Sequence, residues 1–174
     1  MDAQMKRTWA EVDFDKLAHN YHALRGLAPA GTKYLGLVKA DAYGHGAVPV
    51  AKKLEELGAD YLGVACLDEA IEVREAGVKT PILILGCTSS IYAAELVKYN
   101  ITQACYDLEY AKELSAGAQK AGGTITVHIQ CDTGMTRLGF MCHEDTMEKS
   151  ASEIIEAVKL PGLKAEGIFT HFSD

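Results

Sequence analysis

Short apolar runs of strand length alternate with helical patterns six times along this chain, at intervals of about 20 to 30 residues, and that rhythm narrows the folds open to it. The runs are Tyr34–Val38, Tyr61–Cys66, Pro81–Leu85, Ile101–Cys105, Thr124–Gln130 and Leu163–Thr170. Between them lie stretches with apolar residues three and four apart: Val48–Leu57, Asp68–Ala76, a segment capped by Ser89 or Ser90 and running to Tyr99, Asp107–Ala121, and Glu144–Lys159. A helix between two strands returns the chain to run in the same direction, so the sheet is expected to be parallel. No Gly-x-Gly-x-x-Gly follows a strand, which weakens a dinucleotide-binding reading. The expected fold is α/β: an incomplete TIM-type (β/α)8 barrel with about six of eight parallel strands present, as one unit over residues 1–174.

Two further expectations concern packing. Thr8–Val12 reads as a short strand whose Trp9 packs an edge of the core, followed by a helix capped by Asp13 or Asp15 with Leu17, Tyr21 and Leu24 at helical spacing. In the helix over residues 144–159, Met147, Ile154, Ile155 and Val158 form the expected buried stripe.

Composition excludes several partner classes. A formal charge of −7 and a pI near 5.4 argue against nucleic acid and against an anionic membrane surface. No apolar run approaches a membrane span, and Met1–Arg7 lacks the apolar centre of a signal peptide. The five cysteines, Cys66, Cys87, Cys105, Cys131 and Cys142, form no CxxC pair and no zinc pattern. Cys66, Cys105 and Cys131, at or near the ends of apolar runs, read as small, reduced core residues of a cytoplasmic protein.

Chemistry concentrates where the first apolar run ends. Tyr34-Leu35-Gly36-Leu37-Val38 stops at Lys39, and a loop of small residues, Ala40–Gly46, leads into a helix near Ala47. In parallel α/β folds the C-terminal ends of strands carry the active site. Partial burial there disfavours the ammonium, and a neutral lysine amine attacks carbonyl carbon to give a Schiff base. By spacing alone, a surface lysine at a strand end is the commoner case. Gly44 and Gly46 admit close approach of backbone N–H groups, and the following helix N-terminus is a place for an anion.

The stretch Val38-Lys39-Ala40-Asp41-Ala42-Tyr43-Gly44-His45-Gly46 resembles the cofactor-lysine motif of the alanine racemase family. The resemblance implies that Lys39 carries pyridoxal 5'-phosphate as a Schiff base and that Tyr43 helps to bind its phosphate. A second stretch, Asp132-Thr133-Gly134-Met135-Thr136-Arg137-Leu138-Gly139-Phe140, puts an arginine on a glycine-broken loop after the fifth strand. A guanidinium stays charged and its planar fork suits a carboxylate or phenolate; read alone, it is also consistent with a structural arginine paired to Asp132. By resemblance, Arg137 contacts the cofactor phenolate and the substrate carboxylate, with Met135 beside it. A third stretch, Gly167-Ile168-Phe169-Thr170-His171-Phe172, ends a strand at His171, which the resemblance places near the cofactor ring. One departure is Gln130, where many family members carry a lysine that becomes carbamylated; Gln130 is expected to orient Arg137 through its amide oxygen without that charge.

The three motifs stand in the family's order over essentially the whole chain. They imply interconversion of L- and D-alanine, for D-alanine supply, by two bases on opposite faces of the substrate. Lys39 is one base. In the family the other is a tyrosine from a C-terminal β domain donated by the partner subunit of a homodimer, a domain absent from these residues. Two alternatives stay open: a serine or broad-specificity amino-acid racemase on the same scaffold, and a non-catalytic single-barrel carrier of the cofactor.

Overall fold

The computed structural model describes residues 8–173; the Met1–Arg7 stretch read for targeting character lies outside them. Six parallel strands stand side by side in chain order: β1 (Leu35–Leu37), β2 (Tyr61–Val64), β3 (Ile82–Ile84), β4 (Thr102–Cys105), β5 (Ile125–Asp132) and β7 (Leu163–Thr170). A two-residue strand, β6 (Phe140–Met141), adds to β5 at Cys131 and Asp132. Since β7 already pairs with β5 at Cys131, β6 occupies the opposite edge, beyond the end of β4. The sheet does not close among the described residues: β1 and β7 are its two edges.

Helix α1 (Phe14–Leu27) precedes β1; helices α3 (Ala47–Glu56), α4 (Leu67–Glu75), α5 (Ala93–Tyr99), α6 (Leu108–Lys120) and α7 (Met147–Ala157) supply the crossovers, and a 3-10 turn at Ser90–Tyr92 leads into α5. Asp13 starts α1 by accepting from Asp15 N and Lys16 N, and Asp107 starts α6 by accepting from Tyr110 N. The core lies between sheet and helices. Val38, Leu62, Ile82, Ile84 and Ile125 meet Val50, Leu54, Val73, Leu96 and Leu114, all essentially buried. Each such large aliphatic side chain stabilises the fold by about 1.5 to 3 kcal/mol relative to exposure.

The loops at the N-terminal ends of the strands are tied by charged groups with full sets of partners. Arg74 on α4 donates to four backbone oxygens: Val78 at 2.7 Å, Tyr99 at 3.0 Å, Thr80 at 3.2 Å and Asn100 at 3.3 Å. Glu55 accepts from Lys79 N and Thr80 N at 2.6 Å and from Thr80 Oγ1 at 2.8 Å. Burial works to raise the Glu55 pKa, but the Thr80 and Lys79 donors together hold it below the usual value. Asp60 joins Tyr34 N at 2.8 Å to the Arg25 guanidinium at 3.2 Å.

Several expectations are corrected. Thr8–Val12 forms no strand, and Trp9 is 71% exposed, because no neighbouring backbone pairs with that stretch among the described residues. Leu24 is exposed, leaving Tyr21 as the buried anchor of α1. On α7 it is Ser150 and Ala157 that are buried, while Met147, Ile155 and Val158 face outward and Ile154 is half-buried. Cys66 is exposed rather than core, and Cys87 is exposed too; Cys105 is buried, and Cys131 and Cys142 are half-buried.

Candidate active site at the C-terminal mouth of the sheet

The loop after β1 is not irregular. Lys39–Gly44 forms one short helical turn, α2, and Ala40, Asp41, Ala42 and Tyr43 all take left-handed backbone angles, φ 50 to 55° and ψ 37 to 49°. L-residues with a Cβ resist this conformation by about 1 to 2 kcal/mol each. The turn survives because its backbone groups are claimed on every side. Val38 N donates to Gly63 O at 2.9 Å, the last rung between β1 and β2. The next rung of a parallel ladder would carry Ala65 N to Val38 O. Instead Val38 O accepts from Ala42 N at 2.9 Å, and Ala65 N turns to Glu69 Oε2 at 2.7 Å. The other oxygen, Glu69 Oε1, accepts from Ala40 N at 2.8 Å. One carboxylate from α4 thus fills the gap where the two strands part.

Downstream, Asp41 Oδ1 accepts from Ala47 N at 2.7 Å and Asp41 O from Gly46 N at 2.9 Å. This corrects the expectation that the helix N-terminus presents itself to an external anion: at Ala47 the anion is already Asp41. Lys39 is half-buried, and its Nζ lies 5.9 Å from the Tyr43 ring centroid. No carboxylate pairs with it among the described residues. Tyr43 itself is 60% exposed.

The arginine loop is held by a second carboxylate. Asp132, buried at the end of β5, accepts from Gly134 N and Thr136 N at 2.9 Å and from Arg137 N at 3.0 Å. These donors, Gly134 first, hold its carboxyl below the usual range, with His143 Nε2 4.0 Å away. Asp132 therefore folds the loop through backbone N–H groups, and among the described residues the Arg137 guanidinium has no partner. Gly139 closes the loop at φ 132°; a Cβ there would stand 2.5 Å from Asp132 N. The exposed Arg137 side chain borders a cleft of about 470 Å³ shared with Tyr106, Phe140, Lys149 and Glu153.

Met135 is half-buried in the same loop, and His171 follows β7 in an exposed position. Thr133 Oγ1 and Thr170 Oγ1, 2.7 Å apart, tie the loop to the end of β7. The Lys39 turn, the Arg137 loop and His171 thus share the C-terminal edge of the sheet. Lys39 touches Tyr43, but no hydrogen bond, ion pair or ring contact joins Lys39 to Arg137, Met135 or His171. Gln130 does not reach Arg137 either: its Oε1 is buried with no hydrogen-bond partner. The Cys131 thiol, pushed up to about 11 by burial and by Cys142, is inert beside the loop.

Sequence reasoning missed Glu69 and the roles of Asp41 and Asp132. Asp132 carries a readable signal, since Asp-x-Gly favours an Asx-turn. Asp68-Glu69-Ala70 resembles a family segment and reads as a helix start, which it is, but nothing local announces the link from Glu69 to Ala40, 29 residues away. Chemically, the edge offers a primary amine and a guanidinium, neither neutralised, on a chain with 24 acidic and 17 basic residues. That is a place for a small anionic molecule bearing a carbonyl. The amine, the guanidinium, the adjoining phenol of Tyr43 and the imidazole of His171 are the kinds of group that the resemblance assigns to pyridoxal phosphate.

Residues 12–174 match the family model described as "Alanine racemase, N-terminal domain". The alanine racemase of Clostridium perfringens (strain ATCC 13124) is 45% identical over 173 residues, 99% of this chain and 44% of that protein. The alanine racemase of Clostridium difficile 630 in complex with cycloserine superposes with a TM-score of 0.92 at 43% identity, covering 98% of this chain and 46% of that one. A histidine racemase from Leuconostoc mesenteroides shares the fold at a TM-score of 0.79 and 28% identity, over 92% of this chain and 42% of its own. The chain therefore spans a little under half the length of these relatives. Its fold, its motifs and this match over nearly every residue make it a member of the alanine racemase N-terminal domain family.

Proposed function

We propose that these residues form the N-terminal, cofactor-holding part of a pyridoxal-phosphate-dependent racemase whose substrate is alanine. The observation that carries the reading is the pair of cations, Lys39 and Arg137, without counter-ions among the described residues at one edge of the sheet, while Arg74 is fully engaged and Arg25 is paired with Asp60. Lys39 Nζ would hold the cofactor covalently, adding to its aldehyde carbon with loss of water. Tyr43 would bind its phosphate and His171 would stand by its ring. Bound there, pyridoxal phosphate supplies an electron-withdrawing ring that acidifies the Cα–H of an attached amino acid. Arg137 would hold the substrate carboxylate, with Met135 beside it. Displaced from the cofactor by the substrate amine, Lys39 Nζ would take the Cα proton on its own face and, once it carries that proton, return it. The opposite face needs a second base, which we place in polypeptide beyond these residues, in a homodimer acting in the cytoplasm on alanine for D-alanine supply.

A second reading is racemisation of another amino acid, such as serine, on the same scaffold. The likeness to a histidine racemase favours keeping it, since that protein shares this fold. The non-catalytic carrier has no such support, and a carrier has no need of Arg137. The test is borohydride reduction of the full-length protein with pyridoxal phosphate, peptide mapping, and chiral chromatography of alanine, serine and histidine. An adduct on Lys39 and turnover of alanine ahead of the others is expected. An adduct on another lysine overturns the assignment, and preferred turnover of serine or histidine selects the second reading.

A further inference from the structure

The carboxylate of Glu69 lies in the first turn of α4, yet it does not cap that helix. It spans the gap between β1 and β2, with Ala40 N on one oxygen at 2.8 Å and Ala65 N on the other at 2.7 Å. Ala40 follows Lys39 directly and is the first of the four left-handed residues. Without an acceptor at that point, Ala40 N would have no partner and the ladder would regain its next rung, with Ala65 N on Val38 O. Ala42 N would then lose Val38 O, the bond that closes the left-handed turn. The position of the Lys39 backbone relative to β2 is thus set by one bidentate acceptor.

We propose that Glu69 is the positioning residue for the Lys39 amine: by holding Ala40 N and Ala65 N together it keeps the turn left-handed and Lys39 aimed at the cofactor's carbonyl carbon. Two properties make a carboxylate the right group. It has acceptor capacity on both oxygens and no donor, so it serves two N–H groups at once. A glutamine of the same shape serves one and turns an NH2 against the other. An aspartate keeps the charge but is one methylene short of spanning both strands. The inference rests on the reading of Lys39 as the residue that holds pyridoxal phosphate.

The test compares wild type, Glu69→Gln and Glu69→Asp as full-length apoprotein, with two probes. Pyridoxal phosphate reports capture by Lys39, trapped with borohydride at timed intervals and quantified on the Lys39 peptide. Pyridoxamine phosphate lacks the carbonyl and reports cofactor binding without lysine. Both variants should capture pyridoxal phosphate at least tenfold more slowly, while their Kd for pyridoxamine phosphate rises by a clearly smaller factor, since Tyr43 belongs to the same turn. Hydrogen exchange over residues 38–46 should be faster in both. Equal weakening of both probes overturns the proposal, because it makes Glu69 a general support of the fold. A wild-type capture rate in Glu69→Asp overturns it too, since charge and not reach would then be the requirement. Wild-type protein that captures nothing on Lys39 overturns the underlying reading and this inference with it, whereas normal wild-type capture and an unchanged rate in Glu69→Gln overturns the role of Glu69 alone.

Discussion

Arg74 and Arg137 stand at opposite ends of one parallel sheet, and the chain treats them in opposite ways. The guanidinium of Arg74 is spent on the carbonyls of Val78, Thr80, Tyr99 and Asn100, below β3 and β4. That of Arg137 has no such partner, although Asp132 is close enough to take its backbone N–H at 3.0 Å. Two carboxylates at the N-terminal end are engaged in the same way as Arg74. Glu55 and Asp60 knit the N-terminal loops together, whereas Lys39 at the far end has only the face of Tyr43. At the mouth, the acidic side chains Glu69, Asp41 and Asp132 bind backbone and so shape the loops without neutralising the cations those loops carry. Among the described residues, Arg74, Glu55 and Asp60 at one end of the sheet bind the protein itself, whereas Lys39 and Arg137 at the other end have no counter-ion.

The comparison is sharpened most by Lys39→Ala in the full-length protein. If Lys39 is both tether and base, as proposed, its loss should lower alanine racemisation by about 10⁴-fold or more, followed by chiral chromatography. Urea denaturation should show stability within about 0.5 kcal/mol of wild type, as for a side chain outside any bonded network. A matching loss of stability would erase the distinction between the two ends. Arg137→Ala comes next: removal of a charge-assisted contact should cost roughly 2 to 4 kcal/mol in transition-state binding, about 30- to 1000-fold in kcat/KM. An unchanged kcat/KM would place this arginine outside the site.

The mirror experiment is Arg74→Ala. Four carbonyls lose a charged donor, and the fold should lose about 2 to 3 kcal/mol by urea titration, with kcat of the folded fraction unchanged. Arg74→Lys should recover only part of that, because an ammonium lacks the fork that reaches carbonyls of two loops. The smallest effect is a pH dependence at Asp132. Its folded carboxyl sits below the ordinary value because of the Gly134, Thr136 and Arg137 N–H donors. The stability this confers is complete above the unfolded value of about 4 and is lost as pH falls through the folded value. The stability gap between wild type and Asp132→Asn should therefore hold steady from pH 7 to 5 and narrow below about pH 4. A gap that narrows instead as pH rises above 5 would deny the carboxylate its part in folding the loop.

Much of the frame was legible in the residues. Runs such as Thr124–Gln130 and Leu163–Thr170 are β-branched or apolar where the structure has β5 and β7, and Leu163–Thr170 coincides with β7 end to end. The sites of Lys39, Arg137 and His171 at strand ends followed from the same pattern. What stayed hidden depends on partners distant in sequence. Thr8–Val12 has strand-forming residues, but a strand exists only when another backbone pairs with it. Ala40–Tyr43 contains no glycine, so nothing local announces positive φ; the turn follows from Glu69 and from the bonds of Val38 O and Asp41. The apolar spacing of α7 suggested a stripe at Met147, Ile155 and Val158, but the face that packs carries Ser150 and Ala157. Ser150 is drawn inward because its hydroxyl donates to Met141 O at 2.7 Å.

The left-handed turn has one further consequence, which concerns handedness itself. Four successive L-residues there occupy the mirror image of their preferred helix. The usual ranking of alanine over glycine in helices should therefore invert at Ala40, which is exposed and whose methyl group serves no packing. A D-alanine placed at Ala40 by chemical ligation would be the relaxed enantiomer, gaining the turn without the steric clash and without glycine's entropy. In a family named for exchanging the two hands of alanine, the segment that follows Lys39 is, among the described residues, the one run of four where this chain would itself sit more easily in the D form.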